Sequence, residues 1–235
     1  MAALGSCLEA AEFDLAVSPL RELNAALHEL DDDGPRHWRV LNPRGAHALA
    51  VGIDAPVEVE IEGHAGYYCA GMNKQATVRV HGNVGVGCAE NIMSGAVIVD
   101  GNASQSAGAT GRGGLLVIRG SAAARCGISM KGVDIVVQGS VGHMSGFLAQ
   151  RGTLVICGDA GEALGDSIYE AHVYVRGKVA DLGADCIEKE MRDQHTDELS
   201  ALLERAEVDF AVEDFRRYGS ARKLYNFNVD NAGAY

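Results

Sequence analysis

Eight histidines, six cysteines and a run of aspartates are the residues from which this sequence would build a metal centre or an acid–base site. A metal needs ligands that converge. Measured against a glycine that recurs every 19 residues, His64 lies one after, His81 one before, His143 four after and His172 five before. Those offsets do not line up along one face, and no histidine-based metal site is expected. Cys69, Cys88 and Cys126 do share an offset, six after their glycine. On adjacent rungs their Cα atoms would lie about 5 Å apart, within disulfide reach. A reducing compartment favours thiols, and Ala107 fills the same slot, so the column reads as small buried filling. No CxxC pair occurs, which argues against an iron–sulfur or zinc site in this chain. Asp31 to Asp33 reads as a solvated loop. The stretch "GNVGVG" from Gly82 to Gly87 lacks the following helix that a phosphate loop requires. Scattered carboxylates weaken a glycosidase-like pair. The aromatic residues Tyr67, Tyr68, Phe147, Tyr169 and Tyr174 share no column, as a sugar-binding row would require.

One segment has a composition suited to binding. "FRRYGSARKLYNFNVDNAGAY" combines Arg216, Arg217, Arg222 and Lys223 with Phe215, Tyr218, Tyr225 and Phe227. Arginine and aromatic residues are enriched at interface anchors. The segment is expected to dock on an acidic partner surface or on the chain's own body, lying outside any ladder; a frayed tail is the alternative.

The elements that must position these residues follow from the repeat. Gly63, Gly82, Gly101, Gly120, Gly139, Gly158 and Gly177 are spaced by 19 without a slip. Two before them stand Ile61, Val80, Val99, Ile118, Val137, Ile156 and Val175; four before stand Val59, Val78, Val97, Leu116, Ile135, Leu154 and Val173. Two after stand only Ala and Val; seven after stand only Ala and Gly. Period-two alternation marks a strand with one buried face. Glycine marks a bend through positive φ or close backbone approach. A single such coil cannot bury its apolar face and must stack on its neighbours. The expected fold is an all-β solenoid, a right-handed parallel β-helix of about seven 19-residue rungs. At about 4.8 Å per rung it is roughly 34 Å long. Proline, which cannot donate to a ladder, is absent after Pro56.

Three parts follow: residues 1–56 as helix and lead-in, 57–188 as β-helix, and 189–235 as helix and docking tail. "SPLRELNAALHEL" begins with Ser18 as N-cap and Pro19 at the first helical position, and carries a stripe of Leu20, Leu23, Leu27 and Leu30. Met191, Leu199, Leu202, Leu203 and Ala206 fit a second helical face, expected near the last rung.

The net charge of −12 argues against a general nucleic-acid binder. No apolar run approaches the roughly 20 residues of a membrane span, and no basic-then-apolar leader opens the sequence. A cytoplasmic protein is expected.

The repeat columns, with "GNVGVGCAENIMSGAVIVDGNA" and "GSVGHMSGFLAQRGTLVICGDAGEALGDSIYEAHVYVRG", resemble the GXGXG β-helix at the C-terminus of the glutamate synthase large subunit. The β-helical component of formylmethanofuran dehydrogenase is similar. "LGADCIEKEM" and "FRRYGSARKLYNFNVDNA" narrow the resemblance to stand-alone GXGXG subunits of glutamate-synthase-like complexes, nearest the second-subunit family of N-methylglutamate synthases (methylamine–glutamate N-methyltransferases). The resemblance implies a hetero-oligomer in which this chain holds no cofactor. One partner would be a class II amidotransferase-like subunit with an N-terminal cysteine nucleophile. The other would be an FMN-binding glutamate-synthase-like subunit with an iron–sulfur cluster. The implied net reaction is methylamine plus L-glutamate giving N-methyl-L-glutamate and ammonia. Two alternatives remain: a component of a formylmethanofuran-type complex, and an independent polysaccharide-binding β-helix.

Overall fold

The computed structural model describes residues 10–31 and 33–224. Among these residues, eleven strands form one sheet. The first nine run parallel in chain order: β1 (Ala11–Asp14), β2 (His37–Leu41), β3 (Glu58–Ile61), β4 (Thr77–Val80), β5 (Ala96–Val99), β6 (Leu115–Ile118), β7 (Lys131–Val137), β8 (Arg151–Ile156) and β9 (His172–Val175). From β3 to β9 the register advances by 19 at each rung, as in Val59↔Val78 and Leu154↔Val173. The columns expected to face inward do so, and their side chains are buried from Val59 to Val175. A second parallel ladder of single bridges runs Ala65–Val84–Ala103–Ala122–Val141–Ala160–Val179. The chain is thus a parallel β-solenoid of about seven turns. The ladder also extends before residue 57, because β1 and β2 join it.

Helix α1 (Leu20–His28) buries Leu23 and Leu27 in the solenoid's interior cluster. It begins one residue later than the sequence suggests: Pro19 takes the N-cap position, without a side-chain cap. The Asn24 side-chain amide donates to the Ala48 carbonyl at 2.9 Å, fixing the helix across the first rung.

The other end departs from expectation. Strand β10 (Cys186–Lys189) does not pair with β9. The segment Arg216–Ser220 forms β11, which lies antiparallel between β9 and β10. The composition of the tail suggests a place outside the ladder; five of its residues instead belong to the sheet. An antiparallel strand ends the parallel stack and pairs the edge that β9 would otherwise leave open. Tyr218 on β11 is buried in the interior cluster, and Phe215 just before it is buried outside the sheet.

Helix α2 (Asp193–Arg205) reaches the last parallel rung, where Glu198 meets His172 and Tyr174 of β9. From there it lies along the flank of the sheet. Leu199, Leu202 and Leu203 pack on Leu115, Val117, Val136, Val155 and Tyr174, the outward residues of β6 to β9. The same outward column carries Glu60 on β3 and Arg79 on β4. Only the later rungs present an apolar outer face, so only they take a helix.

Candidate functional site

The glycine column and the residue following it form the first structural device. From Gly82 to Gly177, each glycine faces the preceding glycine's carbonyl group. A Cβ on Gly139 would lie 2.7 Å from the Gly120 carbonyl oxygen, and one on Gly120 equally close to that of Gly101. Of the seven, only Gly63 has a positive φ, at +131°. Close backbone approach, not left-handed geometry, is therefore why the other six are glycine. The left-handed corner lies seven residues on, where φ is +68° at Gly108 and +69° at Gly127.

The closeness permits a further ladder, made by side chains. The side chain after each glycine accepts a hydrogen bond from the backbone N–H one rung later. His64 Nδ1 accepts from Asn83, Asn83 Oδ1 from Asn102, and Asn102 Oδ1 from Ser121. Ser121 Oγ accepts from Ser140, Ser140 Oγ from Asp159, and Asp159 Oδ1 from Lys178, all at 2.7–3.1 Å. The sequence carries the signal as a small polar or acidic residue after the glycine.

The second device is a cluster where α2 meets the sheet. Glu198 Oε2 accepts from the Tyr174 hydroxyl at 2.6 Å and lies 2.8 Å from His172 Nδ1. Its other oxygen accepts from Thr153 Oγ1 at 3.1 Å. Burial raises the Glu198 carboxyl, but the hydrogen bonds from His172, Tyr174 and Thr153 outweigh it and bring the pKa to about 2. Burial first, and then Glu198, push the Tyr174 phenol up. His195, in the first turn of α2, stands edge-on to His172 at 5.6 Å between ring centroids. Its Nδ1 accepts the Arg192 backbone N–H at 3.2 Å, which satisfies a donor at the start of α2. Burial, with Arg217 and His172 nearby, lowers the His195 pKa.

His172, His195 and Arg192 line a cleft of about 330 Å³ between the start of α2, the end of β10, and β11. Histidines at unrelated repeat offsets meet here because α2 folds back onto the ladder, which spacing within the repeat does not encode.

The residues expected to dock are dispersed around this end. Phe215 and Tyr218 are buried within the chain. Arg216 donates to the Gly177 carbonyl at 2.9 Å, and Arg217 Nε to the Glu190 carbonyl at 3.1 Å. Arg222 pairs with Glu170 at 2.8 Å. The Lys223 backbone N–H donates to Asp185 Oδ1 at 2.9 Å. Tyr225 and Phe227 lie outside the described residues.

Two other groupings bear on metals. Cys69, Cys88, Cys126, Cys157 and Cys186 are free and buried. Burial holds the Cys69, Cys126, Cys157 and Cys186 thiols up at about 12. Among the described residues no three cysteines converge, so their donor geometry does not fit an iron–sulfur cluster. Glu60, Glu62 and His81 do bring ligand atoms within 4.8 Å of one another on the outer face of β3 and β4. Glu62 is held by Arg39 Nε at 2.7 Å, and His81 Nδ1 lies 2.7 Å from Asp100. Strand register joins these residues, a convergence that the offsets alone concealed.

No helix among the described residues is long and apolar enough to cross a membrane. The scan against family models found no match, and neither did the search of solved structures. Among curated proteins, the chain is 64% identical over 224 residues to Protein GlxC of Rhizobium meliloti (strain 1021), covering 94% of this chain and 98% of that protein. At that identity over nearly the full length of both, the chain belongs to the GlxC family.

Proposed function

We propose that this chain is a non-catalytic scaffold subunit of a glutamate-synthase-like complex, with N-methylglutamate synthase the activity it serves. In this reading it holds a class II amidotransferase-like subunit and an FMN-binding subunit in register. The observation that carries the reading is the glycine column: seven glycines at a spacing of 19 stack rung on rung. That is the feature on which the resemblance to the GXGXG β-helix of glutamate synthase rests. A solenoid suits the role, because its rungs form an extended rigid surface stabilised by nearest neighbours.

The chain's own reactive groups support the non-catalytic part. Among the described residues the five thiols are buried, with burial favouring their protonated form, and Glu198, the most perturbed carboxylate there, is occupied by Thr153, His172 and Tyr174. FMN and the iron–sulfur cluster are assigned to the partner, where they supply the redox chemistry; this chain contributes position. The isolated chain is expected to be colourless and to show no methylamine-dependent turnover. An absorption spectrum and an assay on the purified chain test this. Stoichiometric FMN, or turnover without partners, would overturn the reading.

A further inference from the structure

The cleft beside α2 has a charge arrangement that the chain leaves uncompensated. Four cations line it, Lys189, Arg192, Arg217 and Arg222, in a protein whose net charge is −12. The two carboxylates lining it are already engaged: Glu190 with Arg192 at 3.0 Å, and Glu170 with Arg222 at 2.8 Å. Glu198, behind the wall, is occupied by its three donors. Lys189 and Arg217 remain, and they are direct cross-strand partners in the β10–β11 register. Side chains so placed are about 5 Å apart at Cβ, and like charges there repel. Among the described residues, neither has a carboxylate within ion-pair distance; Arg217 has only Nε engaged, on a backbone carbonyl.

We propose that this cleft binds a small carboxylate anion, which bridges the Arg217 guanidinium and the Lys189 ammonium. A carboxylate is planar and accepts two parallel N–H bonds from a guanidinium fork. The start of α2, a helix of 13 residues, borders the same cleft and adds the positive end of its dipole. The volume of about 330 Å³ suits a metabolite-sized ligand, at the small end of ordinary ligand pockets. Two titrating groups of the cleft are shifted, in each case chiefly by burial. Burial lowers the Arg217 pKa, with Tyr174 opposing and Arg192 adding to the effect, and His195 is lowered by burial and then by Arg217 and His172. The inference concerns the isolated chain and does not depend on the scaffold reading.

The test is calorimetric titration of the full-length chain with succinate, and separately with inorganic phosphate, followed by NMR titration of His195. Saturable succinate binding is expected, tighter than phosphate. Arg217→Gln should weaken it roughly tenfold or more. Arg217→Lys keeps the charge but lacks the fork and should also weaken it, with an unchanged circular dichroism spectrum confirming that β11 is intact. The groups facing His195 are Arg192, Arg217, His172 and Glu198. An anion beside this set favours the imidazolium, so the His195 midpoint should rise when succinate is bound. Lack of saturable binding at millimolar succinate would overturn the proposal. So would binding unchanged in both Arg217 variants, or phosphate binding as tightly as succinate.

Discussion

At the scale of single residues, the glycine column and the Glu198 cluster make opposite kinds of claim. Gly139 works by what it lacks. Its Cβ would meet Ser121 Oγ and lie 2.7 Å from the Gly120 carbonyl oxygen, so Gly139→Val should cost on the order of 1–3 kcal/mol through overpacking. Gly71→Ala is the control: its Cβ would find ordinary contacts at 3.4 and 3.5 Å, and the change should stay within about 0.5 kcal/mol. Urea unfolding of the two variants against the parent checks the pair. Glu198 works by what it accepts. Its folded-state pKa of about 2 lies below the ordinary value of 4.5, so its stabilising contribution is present above pH 4.5 and lost as pH falls towards 2. Unfolding of parent and Glu198→Gln across pH should show a stability gap at neutral pH that closes over that window. A gap that persists at pH 2 would mean Glu198 acts through packing and not through charge. The glycine column was legible in the sequence because it recurs. The Glu198 cluster was not, because its members come from β8, β9 and α2, which no local spacing connects.

At the scale of elements, legibility followed the repeat and failed where the chain leaves it. The inward columns predicted β3 to β9 in register. The tail strand did not announce itself: "RRYGS" has no period-two apolar pattern, and its place between β9 and β10 depends on an edge created by the rest of the fold. The site of α2 did leave a trace. The outward column three before each glycine runs Glu60, Arg79, Ile98, Val117, Val136, Val155, Tyr174, polar at first and apolar thereafter. Leu203→Ala should cost about 2–5 kcal/mol of local stability where α2 rests on that column. Truncation after Val212 removes Phe215 and β11 together, and leaves β9 with an unpaired edge. Hydrogen exchange should then rise in β8 to β10, while β3 to β6 stay protected because rungs depend on their neighbours. Protection unchanged at β9 would show that β11 contributes nothing to the end of the solenoid.

At the scale of the whole molecule, the two flanks of the sheet divide the chain's surface. α2 and its following turn cover the outer face of β6 to β9. The outer face of β2 to β4 stays open, with Arg39, Glu62, Arg79, His81 and Asp100 joined in ion pairs. Such exposed pairs contribute little stability each. A surface of this kind, on a rigid ladder, is suited to holding partners in a fixed geometry. In the proposed scaffold role, two catalytic subunits meet through this chain. The direct measurement is native mass spectrometry after co-expressing the amidotransferase-like and FMN-binding subunits with and without it. One complex containing all three chains is expected, and no association of the two partners when this chain is left out. Partners that associate equally well in its absence, or a three-way co-expression from which this chain elutes alone, would contradict it.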